Sequence, residues 1–455
     1  MSTPVETASL GARLAAWTAS LRYEDLPPDV VARAKVLLRD TLAVGWAGSG
    51  AEGIDRLHDL VRAQGGAAES IVWSFGGRVP ATQAAVLNGA MAAALDYDSV
   101  HDVAGAHSDV VVIPAVLALA ERGRLSGREF IAAYAAGSEV QVRLTLALQP
   151  RPGWFYSSVL GGFGAAAGAA RVLGLDAERT RHAMGAALSR AAGTQQALFE
   201  RSLTKRLQTA FAARDGVEAA LLAASGVTAP AQMFEGAAGF SALYGEVDAM
   251  KALDGLGREW HFTDLTLKKH ASCYGNHAAI EAALALVRRH GIRAADVGEV
   301  TVRITPFMAR LVGAPYAPGD QPQVAAQFSV QYSVANVLLR GRFAVEDTLP
   351  AAATDPKACA LASRVKVEVD TTRVGKFVPA TVRVRTVAGD VLEEMAAWLP
   401  GTPSNPLPQA QLQAKALACL AAGARPMQNS EALRFAARIA AIETEADMRE
   451  FLPSP

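Results

Sequence analysis

The first 250 residues have the hydrophobic spacing of α-helices almost throughout. Pro27 and Pro28 open a segment whose apolar positions recur three or four residues apart until near Gly48, which predicts one long helix. Alanine dominates the segments that follow, and small side chains let helices pack closely. We predict a short strand at 70–75 and further helices at 80–95, 109–123, 126–148, 160–174, 177–192 and 206–225.

The hydrophobic period changes from that of a helix to that of a strand near residue 295. Strands are predicted at 297–304, 364–369 and 380–387, and helices accompany them at 276–290 and 325–340. The tail at 408–448 returns to helical spacing. The pattern predicts a mainly α protein with an α+β lid. Residues 1–264 and 396–455 form the large all-helical domain in this interpretation, and residues 265–395 form the smaller α+β domain.

The composition is typical of a folded globular protein. The chain has 455 residues, of which 51% are hydrophobic, and its 44 basic and 44 acidic residues give a net charge of zero. This balance excludes a disordered chain and a nucleic-acid binder that depends on overall positive charge. Cys273, Cys359 and Cys419 are odd in number and widely separated, so we expect no disulfide framework and a cytoplasmic protein. We also expect no membrane span, and no signal peptide in Met1–Leu21.

The densest polar cluster follows the helix predicted at 80–95. Four aspartates and two histidines, His101 and His107, lie between residues 96 and 109, in a segment that joins two apolar helices. A loop held between buried helices is well suited to presenting an acid or a base to a cleft. The residues alone leave two other interpretations open, a solvated loop in which Asp109 caps the next helix and a metal site with Asp and His ligands.

Lysine is scarce in this chain, so its positions are informative. Only nine of the 44 basic residues are lysine, and Lys205 is the only lysine between residues 36 and 250. A cation at a helix start opposes the helix dipole, which favours anion binding, although a surface lysine remains an alternative. Lys268, Lys269, Cys273 and His277 lie together at the predicted domain junction, where ligand clefts form. This group suits a carboxylate-bearing substrate, and a basic hinge is the alternative.

Three other motifs carry less chemistry. Tyr332 lies in an otherwise apolar helix, where a tyrosine usually belongs to the core. The stretch from Gly162 to Gly168 is similar to a dinucleotide-binding motif, but no strand precedes it, so we interpret it as a helix-packing surface. The chain has no GxSxG sequence, which argues against serine-based hydrolysis.

Taken together, these segments resemble the MmgE/PrpD family, which includes 2-methylcitrate dehydratases, cis-aconitate decarboxylases and an iminodisuccinate epimerase. The resemblance runs in family order from about residue 10 to about residue 400, and it is specific for the family but not for one reaction. The segments that carry it are Asp40–Gly45, Leu87–Ala90, Leu95–Asp98 with His101 and His107, Gly161–Gly174, Lys205–Leu207 with Gly216–Ala220, Phe234–Gly239, Lys268 to His277 with Ile280–Ala282, and Phe328–Tyr332.

The resemblance implies a homodimer with an active site between a helical domain and an α+β lid, and no metal or other cofactor. The expected partner is a small polycarboxylate, with no nucleic acid and no membrane. The residues matched to family active-site positions are Asp96, His101, His107, Lys205, Lys268 and Tyr332. Further substrate contacts are expected from Arg206, Lys269, Cys273 and His277. Tyr156 stands where relatives have a histidine, and Cys273 stands where some decarboxylases have one.

The family reactions share one chemical problem, which is to form or quench negative charge on a carbon next to a carboxylate. A site for this chemistry needs cations near the developing charge and a base within reach of the proton. The hypothesis is that Lys205 and Lys268 bind carboxylates and stabilise the charge. His107 then moves the proton on one face of the carbon, and His101 or Tyr156 acts on the other.

Two further roles complete this hypothesis. Asp96 is expected to orient or charge a histidine, and Tyr332 to protonate a leaving hydroxyl or hold a carboxylate. The resemblance then predicts a hydro-lyase similar to 2-methylcitrate dehydratase. An epimerase similar to iminodisuccinate epimerase, a cis-aconitate-type decarboxylase and an inactive helical scaffold are the alternatives.

Overall fold

The computed structural model describes residues 9–453. The first eight residues of Met1–Leu21, the segment in which we expect no signal peptide, lie outside the described residues. Helices make up most of the chain before residue 270, and one short hairpin interrupts them. The helices are α1 (Leu10–Ser20), α2 (Pro28–Gly48), α3 (Ile54–Gln64), α4 (Ala81–Ala94), α5 (Asp109–Gly123), α6 (Gly127–Leu146), α7 (Tyr156–Val159), α8 (Gly161–Val172), α9 (Ala177–Leu188), α10 (Gln196–Phe199), α11 (Thr204–Ala224), α12 (Phe240–Leu243) and α13 (Ala249–Leu253). The hairpin consists of β1 (Ser70–Ile71) and β2 (Arg78–Val79), which pair antiparallel.

Close approach between helices explains the abundance of small residues in this half. A Cβ atom at Gly216 of α11 would lie 2.3 Å from Cβ of Ala165 in α8, and one at Gly137 of α6 would lie 2.6 Å from the Gly164 carbonyl oxygen. Helix backbones this close leave no space for a larger side chain. The glycine-rich stretch from 162 to 168 is therefore part of a buried helix that packs on its neighbours.

The α+β domain follows in the chain. Its helices are α14 (Tyr274–His290), α15 (Pro306–Val312), α16 (Pro322–Gln327), α17 (Val330–Arg340), α18 (Pro350–Ala353) and α19 (Pro356–Ala362). Its strands are β3 (Val297–Ile304), β4 (Val365–Val369), β5 (Ala380–Thr386) and β6 (Val391–Ala396). They form one sheet in the order β4-β3-β5-β6, in which only the β3 and β4 pair is parallel.

The tail returns to the helical domain. Helices α20 (Gln409–Leu420) and α21 (Asn429–Ala440) pack on α2, and their apolar side chains join the same hydrophobic core as most of the helices before residue 270. A second core belongs to the α+β domain and runs from Cys273 to Leu399, with Val100 added. The predicted fold class, a large helical domain with a smaller α+β domain, is confirmed. Among the described residues, no helix is both long enough and apolar enough to cross a membrane.

Two predicted elements differ most from the structure, and the helix predicted at 177–192 also ends early, at Leu188. The strand predicted at 70–75 is shorter, because the chain turns at Ser74, whose φ of 62° is left-handed, and only Ser70 and Ile71 pair. The helix predicted at 325–340 is broken into α16 and α17. Ser329 causes this break, because its side chain accepts a hydrogen bond from the Tyr332 backbone N–H and caps the start of α17.

Candidate active site

The loop after α4 begins with an aspartate in an unusual backbone conformation. Asp96 has a φ of 49°, in the left-handed region that few residues other than glycine, asparagine and aspartate adopt. Lys268 supports this conformation, because its Nζ atom donates to the Asp96 carbonyl oxygen over 2.8 Å. The tightly turned loop keeps both Asp96 and Asp98 buried.

Five charged or titratable side chains meet at this loop, and we call them the Asp96 cluster: Asp96, Asp98, His107, Lys205 and Lys268. Nζ of Lys205 lies 2.8 Å from Oδ1 of Asp96, and Nζ of Lys268 lies 3.2 Å from the same oxygen. Lys268 also lies 3.7 Å from Oδ1 of Asp98. Oδ2 of Asp98 lies 2.6 Å from Nδ1 of His107. The cluster therefore joins two carboxylates, two ammonium groups and one imidazole in a continuous chain of contacts.

Only two members of the Asp96 cluster reach solvent. The side chains of His107 and Lys205 are 17% and 15% exposed, whereas Lys268 is fully buried. The accessible surface of the cluster is therefore supplied by His107 and Lys205. Lys268 lies behind this surface and contacts Asp96 and Asp98.

The charges of the buried members balance one another. Burial alone would raise the pKa of Asp96, but attraction to Lys205 and Lys268 holds that pKa well below its usual value. Burial would also raise the pKa of Asp98, but Lys268 and His107 lower it. Burial would lower the pKa of Lys268, but Asp96 and Asp98 raise it above the usual value. Both carboxylates and the Lys268 ammonium group are therefore charged at neutral pH.

One of the two nitrogens of the His107 ring is hydrogen-bonded within the protein. Asp98 contacts Nδ1, while the His107 backbone N–H donates to Oγ of Ser157 over 3.2 Å. Ser157 is fixed in turn by Gln141, whose side-chain N–H donates to the Ser157 carbonyl. Among the described residues, no hydrogen bond reaches Nε2 of His107. A carboxylate on one imidazole nitrogen with the other nitrogen free is the arrangement of an oriented acid–base catalyst.

Both domains border the Asp96 cluster. The Phe328 ring, between α16 and α17, has its centroid 4.9 Å from Nζ of Lys205. The Gln327 side chain donates to the Ala94 carbonyl over 3.1 Å, at the end of α4. Nζ of Lys376, after β4, donates to the Val103 carbonyl in the loop that leads to His107. The α+β domain thus contacts the site on several sides.

The structure does not bring the second predicted histidine into the Asp96 cluster. Nδ1 of His101 accepts a hydrogen bond from the Ala104 backbone N–H over 3.2 Å, inside the loop. Burial lowers the pKa of His101, and its Nε2 atom is buried without a hydrogen-bond partner among the described residues. His101 is therefore neutral and supports the loop that carries His107.

The two predicted tyrosines also bond elsewhere. The Tyr156 hydroxyl donates to the Tyr244 carbonyl over 2.5 Å and accepts from the Arg151 backbone N–H over 2.7 Å. The Tyr332 hydroxyl donates to the Asp347 carbonyl over 2.5 Å within the α+β domain. Burial raises the pKa of Tyr332, so its proton stays on the hydroxyl. These contacts support loops and the core, and neither hydroxyl touches the Asp96 cluster.

The residues near Lys268 separate into a different group. Nζ of Lys269 lies 2.9 Å from Oε1 of Glu281, and Nε2 of His270 lies 2.6 Å from the same oxygen. His277 is fully buried with its ring centroid 5.2 Å from that of His270, and burial holds the pKa of His277 well below its usual value. These side chains bond within the α+β domain and do not contact the Asp96 cluster.

Arg206 and Cys273 have structural surroundings. Arg206 is buried, and it donates to the Glu52 carbonyl over 2.7 Å at the boundary with α16. Burial raises the pKa of the Cys273 thiol to about 12, so this side chain is a neutral thiol at physiological pH. Neither supplies an accessible charge to a substrate.

Two close neighbours of the predicted residues are not evident from the sequence. Asp98, which binds His107, is one of four aspartates between residues 96 and 109, and the loop sequence does not distinguish it from the other three. Phe328 begins one of the segments that carry the family resemblance, but its place beside Lys205 depends on the contact between domains. No group of three or more His, Cys, Asp or Glu side chains in the described part of the chain is arranged to hold a metal ion.

Comparison with known proteins identifies relatives along most of the chain. The profile of the MmgE/PrpD N-terminal domain matches residues 12–252, and that of the MmgE/PrpD C-terminal domain matches residues 270–439. A cis-aconitate decarboxylase-like protein of Aspergillus oryzae is 29% identical, over 97% of this chain and 96% of its own length. Cis-aconitate decarboxylases of Aspergillus terreus and Mus musculus are each 28% identical, over 71% and 76% of this chain and 70% and 73% of theirs. The resemblance predicted from the sequence is confirmed.

Proposed function

Because the chain belongs to the MmgE/PrpD family, we propose that it is a lyase that moves a proton at a carbon next to a carboxylate in a small di- or tricarboxylic acid. One observation carries this proposal. An imidazole oriented by a buried carboxylate, with 2.6 Å between His107 Nδ1 and Asp98 Oδ2, lies in the same cluster as a partly exposed ammonium group on Lys205. Such a site supplies a proton carrier and an anion contact side by side.

Each member of the Asp96 cluster has a distinct role in this proposal. Lys205 binds a substrate carboxylate and stabilises the negative charge that develops beside it, and Nε2 of His107 gives or takes the proton. Asp98 orients the ring and stabilises its charged form. Lys268 is fully buried, so its role changes from the predicted substrate contact to holding Asp96 and Asp98 in place.

Decarboxylation of a cis-aconitate-type acid is the first reaction to test, because the relatives named above are cis-aconitate decarboxylases or a protein like them. In this reaction the bond to the departing carboxylate breaks, its electron pair stays on the substrate, and carbon dioxide leaves. The resulting carbanion shares its charge with the adjacent unsaturated acid. His107 then donates a proton to the carbon that keeps the electron pair.

Dehydration of a hydroxy acid is the second reaction, and Cys273 favours it. This neutral thiol stands where the resemblance places a histidine in some decarboxylases, so a proton carrier of those enzymes is missing from the position. In dehydration, His107 takes the proton from carbon and the electron pair forms the double bond. The same imidazolium then returns that proton to the hydroxyl on the same face of the substrate, and the hydroxyl leaves as water. Epimerisation has less support, because it needs a second proton carrier, and His101 and Tyr156 are bonded away from the Asp96 cluster.

The test is to incubate the purified protein in deuterium oxide with cis-aconitate, citrate, 2-methylcitrate and iminodisuccinate, and to follow each acid by NMR. Decarboxylation gives carbon dioxide and an unsaturated dicarboxylate labelled on carbon, and dehydration gives an unsaturated tricarboxylate. Epimerisation inverts the stereocentre and places deuterium on its carbon, without loss of carbon dioxide or water. The absence of product and of carbon-bound deuterium with every acid would overturn the proposal.

A matched pair of lysine variants keeps this test specific. Lys205→Met removes the exposed ammonium group of the cluster, and we expect turnover to fall about 100-fold. Lys251→Met removes an exposed lysine from the short helix α13, and we expect its turnover to equal that of the wild type. Equal turnover in both variants would remove Lys205 from the mechanism.

A further inference from the structure

A buried lysine from the C-terminal tail lies directly beneath the Asp96 cluster. Nζ of Lys415, in α20, lies 2.8 Å from Oδ1 of Asp40 in α2. It also donates to the Tyr97 carbonyl over 3.0 Å and to the Lys268 carbonyl over 2.9 Å. The Lys415 and Asp40 side chains are only 5% and 7% exposed. All three ammonium donors are therefore used, one on a carboxylate and two on backbone carbonyls.

The two carbonyls belong to the segments that carry the cluster. Tyr97 lies between Asp96 and Asp98 in the chain, and the other carbonyl is that of Lys268 itself. Lys415 thus binds the backbone of the two segments that supply Asp96, Asp98 and Lys268 to the Asp96 cluster. The centroid of the Tyr97 ring lies 3.9 Å from the same ammonium group, which adds a cation–π contact.

Other contacts show how closely the two segments are coupled. Val100 and Thr266 exchange backbone hydrogen bonds of 3.0 and 2.8 Å in an isolated antiparallel bridge. The Tyr97 hydroxyl donates to the Lys269 carbonyl over 3.1 Å. Lys415 joins this pair of segments to α2 and to the tail, because its ammonium group contacts Asp40 and the carbonyls of Tyr97 and Lys268 at one atom.

We propose that Lys415, paired with Asp40, is a positioning residue that sets the spacing between the Asp96 loop and Lys268. It contacts no accessible part of the site, so it acts only through the backbone of its neighbours. Because a displacement of about 1 Å at a catalytic group costs about 100-fold in rate, loss of this contact is expected to reduce turnover strongly. The expected loss of turnover rests on the proposed function. The expected change in the two segments does not.

The chain offers a matched control for the tail contact. Lys35, also in α2, bonds to the tail through Glu443 with 2.5 Å between Nζ and Oε1, and through the Ala440 carbonyl over 2.9 Å. This pair joins the same two parts of the chain but touches neither segment of the site. Lys35→Met therefore removes a tail contact and leaves the positioning contacts intact.

The experiment compares Lys415→Met, Lys35→Met and the double variant Asp40→Asn with Lys415→Met. Each full-length protein is assayed for kcat and KM, for melting temperature, and for amide hydrogen exchange by mass spectrometry in peptides covering residues 96–101 and 266–270. In Lys415→Met we expect kcat to fall about 100-fold and exchange in both peptides to rise about tenfold. In Lys35→Met we expect kcat within about twofold of the wild type and unchanged exchange in both peptides.

The double variant separates positioning from simple charge neutralisation. It replaces the buried ion pair with a neutral pair, so its melting temperature should recover relative to Lys415→Met. Its kcat should stay low and its exchange fast, because the Tyr97 and Lys268 carbonyls still lack their donor. It also serves as the test protein if Lys415→Met does not fold.

Two results would overturn the inference. One is wild-type kcat and wild-type exchange in Lys415→Met. The other is recovery of both kcat and slow exchange in the double variant, which would mean that Lys415 only neutralises Asp40. If the wild type acts on none of the acids, the proposed function fails, but the exchange measurements still decide whether Lys415 holds the two segments.

Discussion

Two buried groups of ion pairs in this protein differ in how they are exposed to solvent. One is the Asp96 cluster, and the other is the pair of Glu139 and Arg143, both on α6, with 2.6 Å between Arg143 Nε and Glu139 Oε1. Arg143 also donates to the carbonyls of Ala252 and Glu259, and Glu139 accepts two backbone N–H groups from residues 261 and 262. Both side chains of this pair are at most 1% exposed.

The difference lies in what each group leaves open. The Glu139 pair is closed, because its contacts stay within the core and fasten the 252–262 segment to α6. The Asp96 cluster has two partly exposed ends, His107 and Lys205, and a left-handed aspartate at its centre. Strained backbone of this kind is common at functional sites. Burial of charge alone therefore does not distinguish the proposed active site from the Glu139 pair, but burial combined with an accessible end and local strain does.

The largest expected effect comes from Asp98→Asn. The amide keeps the shape of the side chain but does not stabilise a charged imidazole, so we expect turnover to fall about 1,000-fold. Asp102→Asn in the same loop is the control and should leave turnover unchanged, because within the described residues the Asp102 carboxylate accepts one hydrogen bond, from the neighbouring Val103 N–H. Steady-state assays with the best acid measure both. Equal turnover in the two variants would contradict the role given to Asp98.

The opposite result is expected for the closed pair. Arg143→Met leaves Glu139 buried without its cation, and we expect the free energy of unfolding to fall by about 3 to 4 kcal/mol, with turnover per folded molecule unchanged. Urea unfolding provides the measurement. Arg190→Met, which removes a half-exposed pair with Glu218, should cost no more than about 1 kcal/mol. If Arg143→Met instead remains stable and loses turnover, the distinction between the two groups is wrong.

A smaller effect is expected at Glu121, a buried carboxylate without a salt-bridge partner among the described residues. Burial raises the pKa of Glu121 to about 8, and its closest contact is the Ile71 backbone N–H, 2.7 Å from Oε2. Its unfolded pKa is near 4.5, so unfolding releases a proton between these values and the stability of the wild type falls as pH rises. Glu121→Gln removes this slope. Between pH 6 and pH 7.5 we expect the variant to gain about 2 kcal/mol relative to the wild type in urea unfolding. A constant difference across this range would show that Glu121 is already ionised in the folded protein.

Much of the fold could be predicted from the sequence because hydrophobic spacing is a local property. The helix from Pro28 to Gly48 and the strand from Val297 to Ile304 follow directly from it. The scarcity of lysine also drew attention to Lys205 and Lys268, which the structure brings to the same aspartate. The break at Ser329 was not predicted, because a serine within an apolar helical pattern does not by itself indicate a cap.

The rest of the site depends on contacts between distant parts of the chain. Lys268 was expected to bind substrate, but its complete burial follows from the packing of two domains and the tail around it. Lys415 is 375 residues from Asp40, and no periodicity links the two positions. Tyr332 had two interpretations in the sequence, and its hydrogen bond to the Asp347 carbonyl places it in the core of the α+β domain.

The role of His107 as proton carrier is tested by measuring carbon-bound deuterium in the acid after incubation in deuterium oxide. We compare the wild type with His107→Ala and with His290→Ala, which removes a half-exposed histidine at the end of α14. If His107 carries the proton, we expect rapid labelling by the wild type and by His290→Ala, and labelling at least about 1,000-fold slower with His107→Ala. Labelling by His107→Ala at the wild-type rate would contradict this role.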